Sequence, residues 1–237
     1  MKIQLLTYNN LNEHSKQIAH FSSTRIGGHS SGPYASFNLG EYTLDSPASI
    51  AANRELLALE LGISTYQIYS VHQVHGKSVK LIDTQLIQCS AKERKNTLQG
   101  FDALICGIPG CCITVTTADC VPILLYDPIQ KAVAAIHSGW KSTLLNSVQE
   151  TIQEMTRHFG TDATDLIAAI GPCISKAVYE VGEDVYSSFI KKGFDTDDLF
   201  EATSNNKYLF DIRKTVLKQL LNEGVKNIEL SPYCTYT

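Results

Sequence analysis

The chain lacks the features that would point to membranes or nucleic acids. Its 237 residues contain no run that approaches the roughly 20 apolar residues of a membrane helix. Lysine and arginine number 20 against 24 acidic residues, which gives a formal net charge of −4 and no expected basic patch for nucleic acid. The apolar stretch at the amino terminus is too short for a signal peptide and lacks a small-residue cleavage site. We therefore expect a cytoplasmic protein that binds neither membranes nor nucleic acid.

Sulfur-containing residues also lack the patterns of well-known site types. The seven cysteines include no C-x-x-C pair, and their odd number in an expected cytoplasmic chain favours reduced thiols over a disulfide framework. Only two methionines are present, and Met155 belongs to a predicted helix stripe, which disfavours a blue copper site with an axial methionine. Seven histidines are too few for the several centres of a multicopper oxidase. We therefore consider copper unlikely.

Apolar periodicity predicts a single α+β domain over residues 1–237. Helices are predicted over 48–61, 142–159, 181–192 and 212–223. Strands are predicted over 66–71, 77–82, 102–106, 112–117, 121–126, 131–137, 166–170 and 228–230. The polar stretch 89–99 is predicted to be a loop.

The strongest functional signal is a cysteine and a histidine that flank a predicted β-hairpin. Two runs of β-prone residues surround an Asp-Pro turn signal. If the turn centres between Pro128 and Ile129, Cys120 lies directly opposite His137, with Cβ atoms about 4.5–5.5 Å apart. Such a pair can share a metal ion or form a thiolate–imidazole nucleophile pair. A slip of one residue would place the two side chains on opposite faces.

A third candidate ligand comes from residues 71–76. If this segment is a strand, alternation places His75 on one face and His72 on the other, and Gly76 suggests an end that opens onto a cleft. His75, Cys120 and His137 would then form a His₂Cys site with one open position. That arrangement is typical of catalytic zinc, whereas structural zinc sites use four protein ligands. The alternative is that His75 is a half-buried histidine held by hydrogen bonds.

Two further regions are candidates for binding an anion. Ser142 is predicted to cap a helix that begins shortly after His137, so that the helix N-terminus and Lys141 could bind phosphate. Alternatively, Ser142 only caps the helix and Lys141 is solvated. Arg54 lies on the buried stripe of the 48–61 helix, where a guanidinium must pair with an internal carboxylate or with a substrate anion.

Seven short motifs span nearly the whole chain. They are 24–28 (Thr-Arg-Ile-Gly-Gly), 36–40 (Ser-Phe-Asn-Leu-Gly), Asn53-Arg54, 73–76 (Gln-Val-His-Gly), 117–122 (Thr-Ala-Asp-Cys-Val-Pro), 137–140 (His-Ser-Gly-Trp) and 171–174 (Gly-Pro-Cys-Ile). In this order they resemble the YfiH-like family, also called the laccase-domain, "polyphenol oxidase" or peptidoglycan editing factor family. The resemblance implies an α+β fold, a single-domain layered αββα sandwich with mixed β-sheets.

The resemblance also implies a zinc ion bound by His75, Cys120 and His137, and an activity on purine nucleosides. The implied reactions are phosphorolysis of adenosine, inosine and methylthioadenosine, giving the free base and ribose 1-phosphate or its methylthio analogue, and deamination of adenosine. By the matching motifs, Arg54 would be the catalytic cation. Asn38 and Arg25 would shape the substrate pocket.

The chain departs from the family at two places. Ser138-Gly139-Trp140-Lys141 replaces the usual Ala-Gly-Trp-Arg, and lysine keeps the charge but lacks the bidentate fork of arginine. The sequence also ends short of the aromatic–arginine tail typical of the family, so we expect any pocket wall from that tail to be absent or replaced.

Three alternatives to the phosphorylase remain open at this stage. The first is a metal-free hydrolase that edits peptidoglycan precursors, with Cys120 as nucleophile and His137 as base. The second is the polyphenol oxidase (laccase) that the family label suggests. The third is a structural metal or binding module with four protein ligands. We expect a monomer or a homodimer.

Overall fold

Thirteen strands and eight helices make up the part of the chain, residues 2–236, that the computed structural model describes. The strands are β1 (Leu5–Leu6), β2 (Ser22–Ser23), β3 (Ile68–Ser70), β4 (Val79–Ile82), β5 (Ala103–Cys106), β6 (Cys112–Thr114), β7 (Val121–Asp127), β8 (Ala132–Ser138), β9 (Ile167–Ile170), β10 (Glu180–Gly182), β11 (Phe200–Ala202), β12 (Lys207–Phe210) and β13 (Asn227–Leu230). The helices are α1 (Asn9–Asn12), α2 (Pro47–Leu61), α3 (Thr84–Gln88), α4 (Ala91–Thr97), α5 (Trp140–Leu144), α6 (Ser147–Phe159), α7 (Glu183–Lys191) and α8 (Ile212–Asn222).

A six-stranded mixed sheet organises the chain, with the strand order β13-β9-β7-β8-β5-β4. The pairs β13–β9 and β4–β5 are parallel, and the central pairs β9–β7, β7–β8 and β8–β5 are antiparallel. Three smaller sheets accompany it: β1–β2, the parallel pair β3–β6, and β10-β12-β11. The strand β8 therefore lies between β7 and β5, an arrangement that positions the site described below.

Side chains alternate between the two faces of the large sheet, so both faces pack against other elements, and the fold has four layers. One face contributes side chains such as Ile123 and Ile136, which pack with Val148, Ile152 and Met155 of α6 and with the buried side of α8. On the other face, Leu104 of β5 packs with Tyr69 of β3. The opposite side of β3 packs against α2, through Ile68 and Leu57. The order helix, sheet, sheet, helix confirms the expected layered αββα architecture with mixed sheets.

The predicted helix over 142–159 is wrong in one respect, because it is two helices. α5 ends at Leu144 and α6 begins at Ser147, with Asn146 between them in the left-handed region at φ 57°. Asparagine is one of the few residues that adopt this conformation readily. Ser142 is therefore a buried residue inside α5, and its predicted role as the helix cap is wrong, since Gly139 occupies that position.

The predicted loop at 89–99 is also wrong, since α4 occupies most of it. A capping box begins this helix: Ser90 accepts a hydrogen bond from the backbone of Glu93, and the Glu93 carboxylate accepts one from the backbone of Ser90. No residue of α4 is buried, so apolar periodicity gave no signal for it. Among residues 2–236, no helix has both the length and the apolar character needed to span a bilayer.

Candidate metal centre

The hairpin that carries the site pairs in a different register from the predicted one. Pro122, rather than Cys120, lies opposite His137. The connection is longer than expected because Lys131 belongs to the loop, with φ 53°, and Asp127 Oδ1 accepts hydrogen bonds from two loop N–H groups. Since side chains alternate with a period of two, a two-residue shift preserves the face. Cys120, the residue just before β7, therefore still approaches His137.

Three side chains come together at this end of the sheet. One ligand atom each from His75, Cys120 and His137 lies within 4.8 Å of the other two. The imidazole rings of His75 and His137 meet edge to face, with centroids 4.7 Å apart. His137 is buried, Cys120 is half-buried and His75 is exposed, so the group has one side towards solvent. Among residues 2–236, this is the one group of three or more such side chains placed to hold a metal ion.

His75 reaches the group from a loop and not from a strand, so the predicted strand alternation over 71–76 is wrong. The segment joins β3 to β4, and its single ladder contact is a bridge between His72 and Gln99. His75 itself has φ 59°, an unusual conformation for a residue other than glycine. The side chain of Gln73 exchanges two hydrogen bonds of 2.7 Å with the backbone of Thr116, which ties this loop to the segment that leads to Cys120.

Asp102, which the sequence analysis did not identify, holds both histidines. Its Oδ1 accepts hydrogen bonds from His137 Nδ1 at 2.8 Å and from the backbone N–H of His75 at 2.9 Å. Its Oδ2 accepts from the backbone of Gly76 at 2.6 Å and of Val74 at 3.3 Å. Since an ionised carboxylate only accepts, Nδ1 of His137 carries the proton and Nε2 is left with a lone pair for a metal. The one sequence signal was an acidic residue directly before the buried strand β5.

The pKa values of the acidic and basic groups reflect this arrangement. Burial alone would raise the pKa of Asp102, but the hydrogen bonds from His137 and from the backbone outweigh it and hold the pKa below its usual value. The pKa of His75 is lowered, first by burial and then by the charges of His137 and Lys141. A neutral imidazole with a free lone pair is the form that binds a metal.

Cys120 is a poor free nucleophile in this setting. Burial, followed by the nearby negative charges of Asp119 and Asp102, raises the pKa of its thiol to about 11. Reactive cysteines have lowered pKa values, since the thiolate is the reactive form. A bound cation such as a metal ion would instead stabilise the thiolate.

Because Gly139 has no side chain, space is left between the candidate ligands. A Cβ at this position would lie 2.7 Å from His75 Nδ1 and 3.0 Å from Cys120 Sγ. The backbone of Gly139 has φ −76° and ψ 175°, which any residue can adopt, so the lack of a side chain matters here only for space. One thiolate and two imidazoles with room between them are a donor set that suits zinc. The residues therefore fit a metal of this type.

The predicted pocket residues Arg25 and Asn38 have hydrogen-bond partners of their own. Arg25 Nε donates to the Ala35 carbonyl at 2.8 Å. Asn38 Nδ2 donates to Thr43 Oγ1 and to Asp45 Oδ2, both at 3.0 Å. These contacts keep both side chains in an ordered loop region between β2 and α2.

Arg54 has the internal carboxylate that its position on α2 allowed. Its guanidinium pairs with Glu41 at 3.0 Å, and it donates to Ser70 Oγ at 2.9 Å and to the Ile68 carbonyl at 3.1 Å. Arg25, Asn38 and Arg54 all line one cavity of about 1180 Å³ between the layers. Asp119, the neighbour of Cys120 in the chain, also lines this cavity, whereas His75, Cys120 and His137 are not among its lining residues.

The anion site predicted at Lys141 and Ser142 relied on a helix capped by Ser142, whereas α5 begins at Trp140 and ends at Leu144. Ser142 is fully buried within that helix, and its Oγ has no hydrogen-bond partner among residues 2–236. Lys141 is exposed, with its Nζ 5.4 Å from the centroid of the Trp140 ring. Its positive charge contributes, after burial and His137, to the lowered pKa of His75.

Comparisons with known proteins extend these observations. The model of a family described as "multi-copper polyphenol oxidoreductase laccase" matches residues 19–237. A Bacteroides thetaiotaomicron protein named purine nucleoside phosphorylase is 39% identical over 236 residues, which cover 98% of this chain and 87% of that protein. A protein named adenosine deaminase RL5, from an unknown prokaryotic organism, is 32% identical over 218 residues, covering 91% of this chain and 83% of that protein.

Two solved structures are similar over most of the chain. The crystal structure of Bacillus licheniformis hypothetical protein YfiH has a TM-score of 0.84 and 27% identity, and covers 91% of this chain and 82% of that one. The structure of YlmD from Geobacillus stearothermophilus has a TM-score of 0.82 and 29% identity, and covers 90% and 80% respectively.

Proposed function

The chain belongs to the laccase-domain, YfiH-like family, and from this premise we propose that it is a zinc-dependent purine nucleoside phosphorylase with adenosine deaminase activity. Relatives named purine nucleoside phosphorylase and adenosine deaminase support an enzyme of this kind. The proposed substrates are adenosine, inosine and methylthioadenosine, with phosphate as the second substrate of phosphorolysis.

The observation that carries the proposal is the convergence of His75, Cys120 and His137 on one point next to Gly139. Three ligands with an exposed side leave a position for a reactant, as in catalytic zinc sites. When bound, zinc would supply a Lewis acid that polarises phosphate or activates water. Asp102 holds His137 in the tautomer that leaves Nε2 free for a metal.

The remaining residues would bind and orient the nucleoside and the phosphate. We assign Arg54 as the catalytic cation, since it is mostly buried and lines the same cavity as Asp119, the residue before Cys120. Arg25 and Asn38 would shape the same cavity, and Lys141 would attract an anion to the exposed side of His75. Ser142 would act from within α5, where its unpartnered hydroxyl can still accept or donate a hydrogen bond.

Copper chemistry has less support than zinc. A multicopper oxidase needs several metal centres, and residues 2–236 contain a single group of three suitable ligands. Met155 packs in the core beneath the sheet and is fully buried there, so it does not serve as an axial ligand. The proposal therefore does not follow the oxidase description of the family.

One observation favours a second candidate, the metal-free hydrolase. Asp102 orients His137, and His137 lies near Cys120, which is the order of groups in a nucleophile–base–acid triad. The raised pKa of Cys120 argues against it, since the thiol would stay protonated at neutral pH. Metal content separates the two candidates.

The test incubates protein of known metal content with adenosine, with and without phosphate, and separates the products by chromatography. The phosphorylase predicts adenine and ribose 1-phosphate only when phosphate is present. The deaminase predicts inosine without phosphate, and inosine together with hypoxanthine when phosphate is present. Chelation should abolish both activities, and added zinc should restore them. Protein shown to hold one zinc ion per chain that forms neither product would refute the proposal.

A matched pair of variants separates the site from general effects of removing a thiol. Cys120→Ser should lose zinc and activity together. Cys89→Ser, at a partly exposed cysteine outside the site, should keep both. The metal-free hydrolase instead predicts that chelated protein cleaves a peptidoglycan precursor and that Cys120→Ser blocks this cleavage.

A further inference from the structure

We propose that Asp102 is the positioning residue of the metal centre, because one carboxylate presents two of its three ligands. The inference rests on the proposed metal site and adds a residue to it. It concerns how the site is held before the metal arrives, and so it is tested by metal binding and by histidine tautomer, separately from any turnover of nucleosides.

The carboxylate of Asp102 is fully buried and all its contacts come from the ligand segments. Oδ1 accepts from His137 Nδ1 and from the His75 backbone, at 2.8 and 2.9 Å. Oδ2 accepts from the backbone of Gly76 and Val74. The two oxygens therefore have different roles, since Oδ1 joins the two histidines and Oδ2 fixes the loop around one of them.

The backbone of Asp102 fixes the carboxylate itself. Its N–H donates to the Ser78 carbonyl at 3.0 Å, and its carbonyl accepts from the His137 N–H at 2.8 Å. His137 is therefore held twice by the same residue, once through its backbone and once through its ring. The position of Asp102 relative to β8 is therefore set by backbone hydrogen bonds, none of which uses a ligand atom of the candidate metal site.

The conformation of His75 depends on the same carboxylate. Three consecutive N–H groups, from Val74 to Gly76, point at Asp102, which is the geometry of a backbone anion nest. His75 has φ 59°, a conformation that non-glycine residues keep only where other contacts impose it. Without the negative charge at Asp102, this turn would lose the three hydrogen bonds that close it around His75, and the imidazole would move away from the ligand group.

Asp102→Asn is the sharpest substitution, because asparagine keeps the size and one acceptor but replaces the other oxygen with a donor. Either orientation of the amide then faces at least one N–H with an N–H. We expect the zinc dissociation constant, measured by competition with a chromogenic chelator, to rise about 10–100-fold. The absorption spectrum of the cobalt-substituted protein should change as well, reporting altered coordination.

Asp127→Asn is the matched control. Asp127 is also fully buried and also accepts backbone hydrogen bonds, from Ile129 and Gln130, but at the far end of β7. The Asp127→Asn variant should bind zinc as the wild type does, even if its melting temperature falls. Zinc affinity of Asp102→Asn equal to that of the control would overturn the proposal, whether or not the protein turns over nucleosides.

A measurement on the wild-type protein keeps the proposal testable if Asp102→Asn does not fold. Imidazole ¹⁵N–¹H correlation spectra of the metal-free protein should show His137 protonated at Nδ1, and the same tautomer should persist after zinc is added. A metal-free His137 protonated at Nε2, or exchanging between tautomers, would overturn the proposal. The failure of the proposed function looks different: zinc would bind tightly, with Nδ1 protonated, and no nucleoside would be consumed.

Discussion

Replacing Gly139 with alanine adds one methyl group between the candidate ligands and so tests whether His75, Cys120 and His137 share one metal ion. The added Cβ would lie 2.7 Å from His75 Nδ1 and 3.0 Å from Cys120 Sγ, whereas ordinary contacts begin near 3.4 Å. To restore that distance, the nitrogen would move by about 0.7 Å and the sulfur by about 0.4 Å. Metal–ligand distances in a working site vary by only about 0.2 Å. The alanine variant therefore cannot keep both ligands on the same ion.

The size of the effect follows from which groups can move. His75 is exposed and lies on a loop, so its ring can swing away without unfolding the protein. We expect zinc affinity to fall by at least about 10–100-fold, the loss typical of a supporting contact, since here a ligand itself is displaced; this range corresponds to about 1.4–2.8 kcal/mol. The free energy of unfolding of the metal-free protein should change much less, because the φ and ψ of Gly139 suit alanine.

The assay is zinc competition with a chelator, combined with urea denaturation of the metal-free protein. Gly76→Ala is the matched control: its Cβ would approach Asp102 Oδ2 at 3.4 Å and Val74 at 3.7 Å, both ordinary contacts. It should bind zinc as the wild type does. If Gly139→Ala also kept wild-type affinity, the three side chains would not share one ion, and the reasoning would be wrong.

Three more predictions concern residues other than His75, Cys120 and His137. Met155→Ala should lower the free energy of unfolding by about 2–5 kcal/mol in urea denaturation, because Met155 is fully buried, whereas Leu59→Ala, at a mostly exposed position, should change it by less than about 0.5 kcal/mol. Burial lowers the pKa of His20, although its contact with the Tyr8 carbonyl acts in the opposite direction. The unfolded chain therefore binds the proton more readily, so stability should fall as the pH drops below about 6.5; His20→Gln should flatten that part of the pH–stability curve, and an unchanged curve would contradict the assignment. Arg54→Lys should raise the KM for phosphate by about tenfold, the cost of one charge-assisted hydrogen bond, at unchanged zinc affinity; an unchanged KM would show that Arg54 serves only its internal ion pair.

Elements with a buried apolar face were predictable from the sequence. The six strands of the large sheet and the helices α2 and α8 lie within one or two residues of their predicted positions, because their burial imposes a period of 2 or 3.6 on the residues. The helix α4 has no buried residue, so it could be found only by its capping box, Ser90 with Glu93. The break at Asn146 was not predicted, because the apolar stripe continues across it from Leu144 to Val148. The helical backbone, by contrast, is interrupted there.

The grouping of His75, Cys120 and His137 was predictable from the sequence, whereas the residue that holds the two histidines was not. The error in the hairpin register did not matter, since a shift of two residues keeps the same face. The supposed strand at His75 was also unnecessary, because backbone hydrogen bonds to Asp102 hold that loop. Asp102 could not be found from spacing: its partners lie 26 to 35 residues away along the chain, and only the fold brings them together.

The position of β8 between β7 and β5 explains why these residues meet. β8 ends where both of its neighbours begin: Ser138 pairs with Val121 at the start of β7, and Ile136 pairs with Ala103 at the start of β5. His137 therefore has Cys120, just before β7, on one side and Asp102, just before β5, on the other. The chain then leaves β8 through Gly139, and the absent side chain there leaves room for His75. A protein with this strand order and these four positions would bring the same side chains together, provided that its hairpin register differs by an even number of residues.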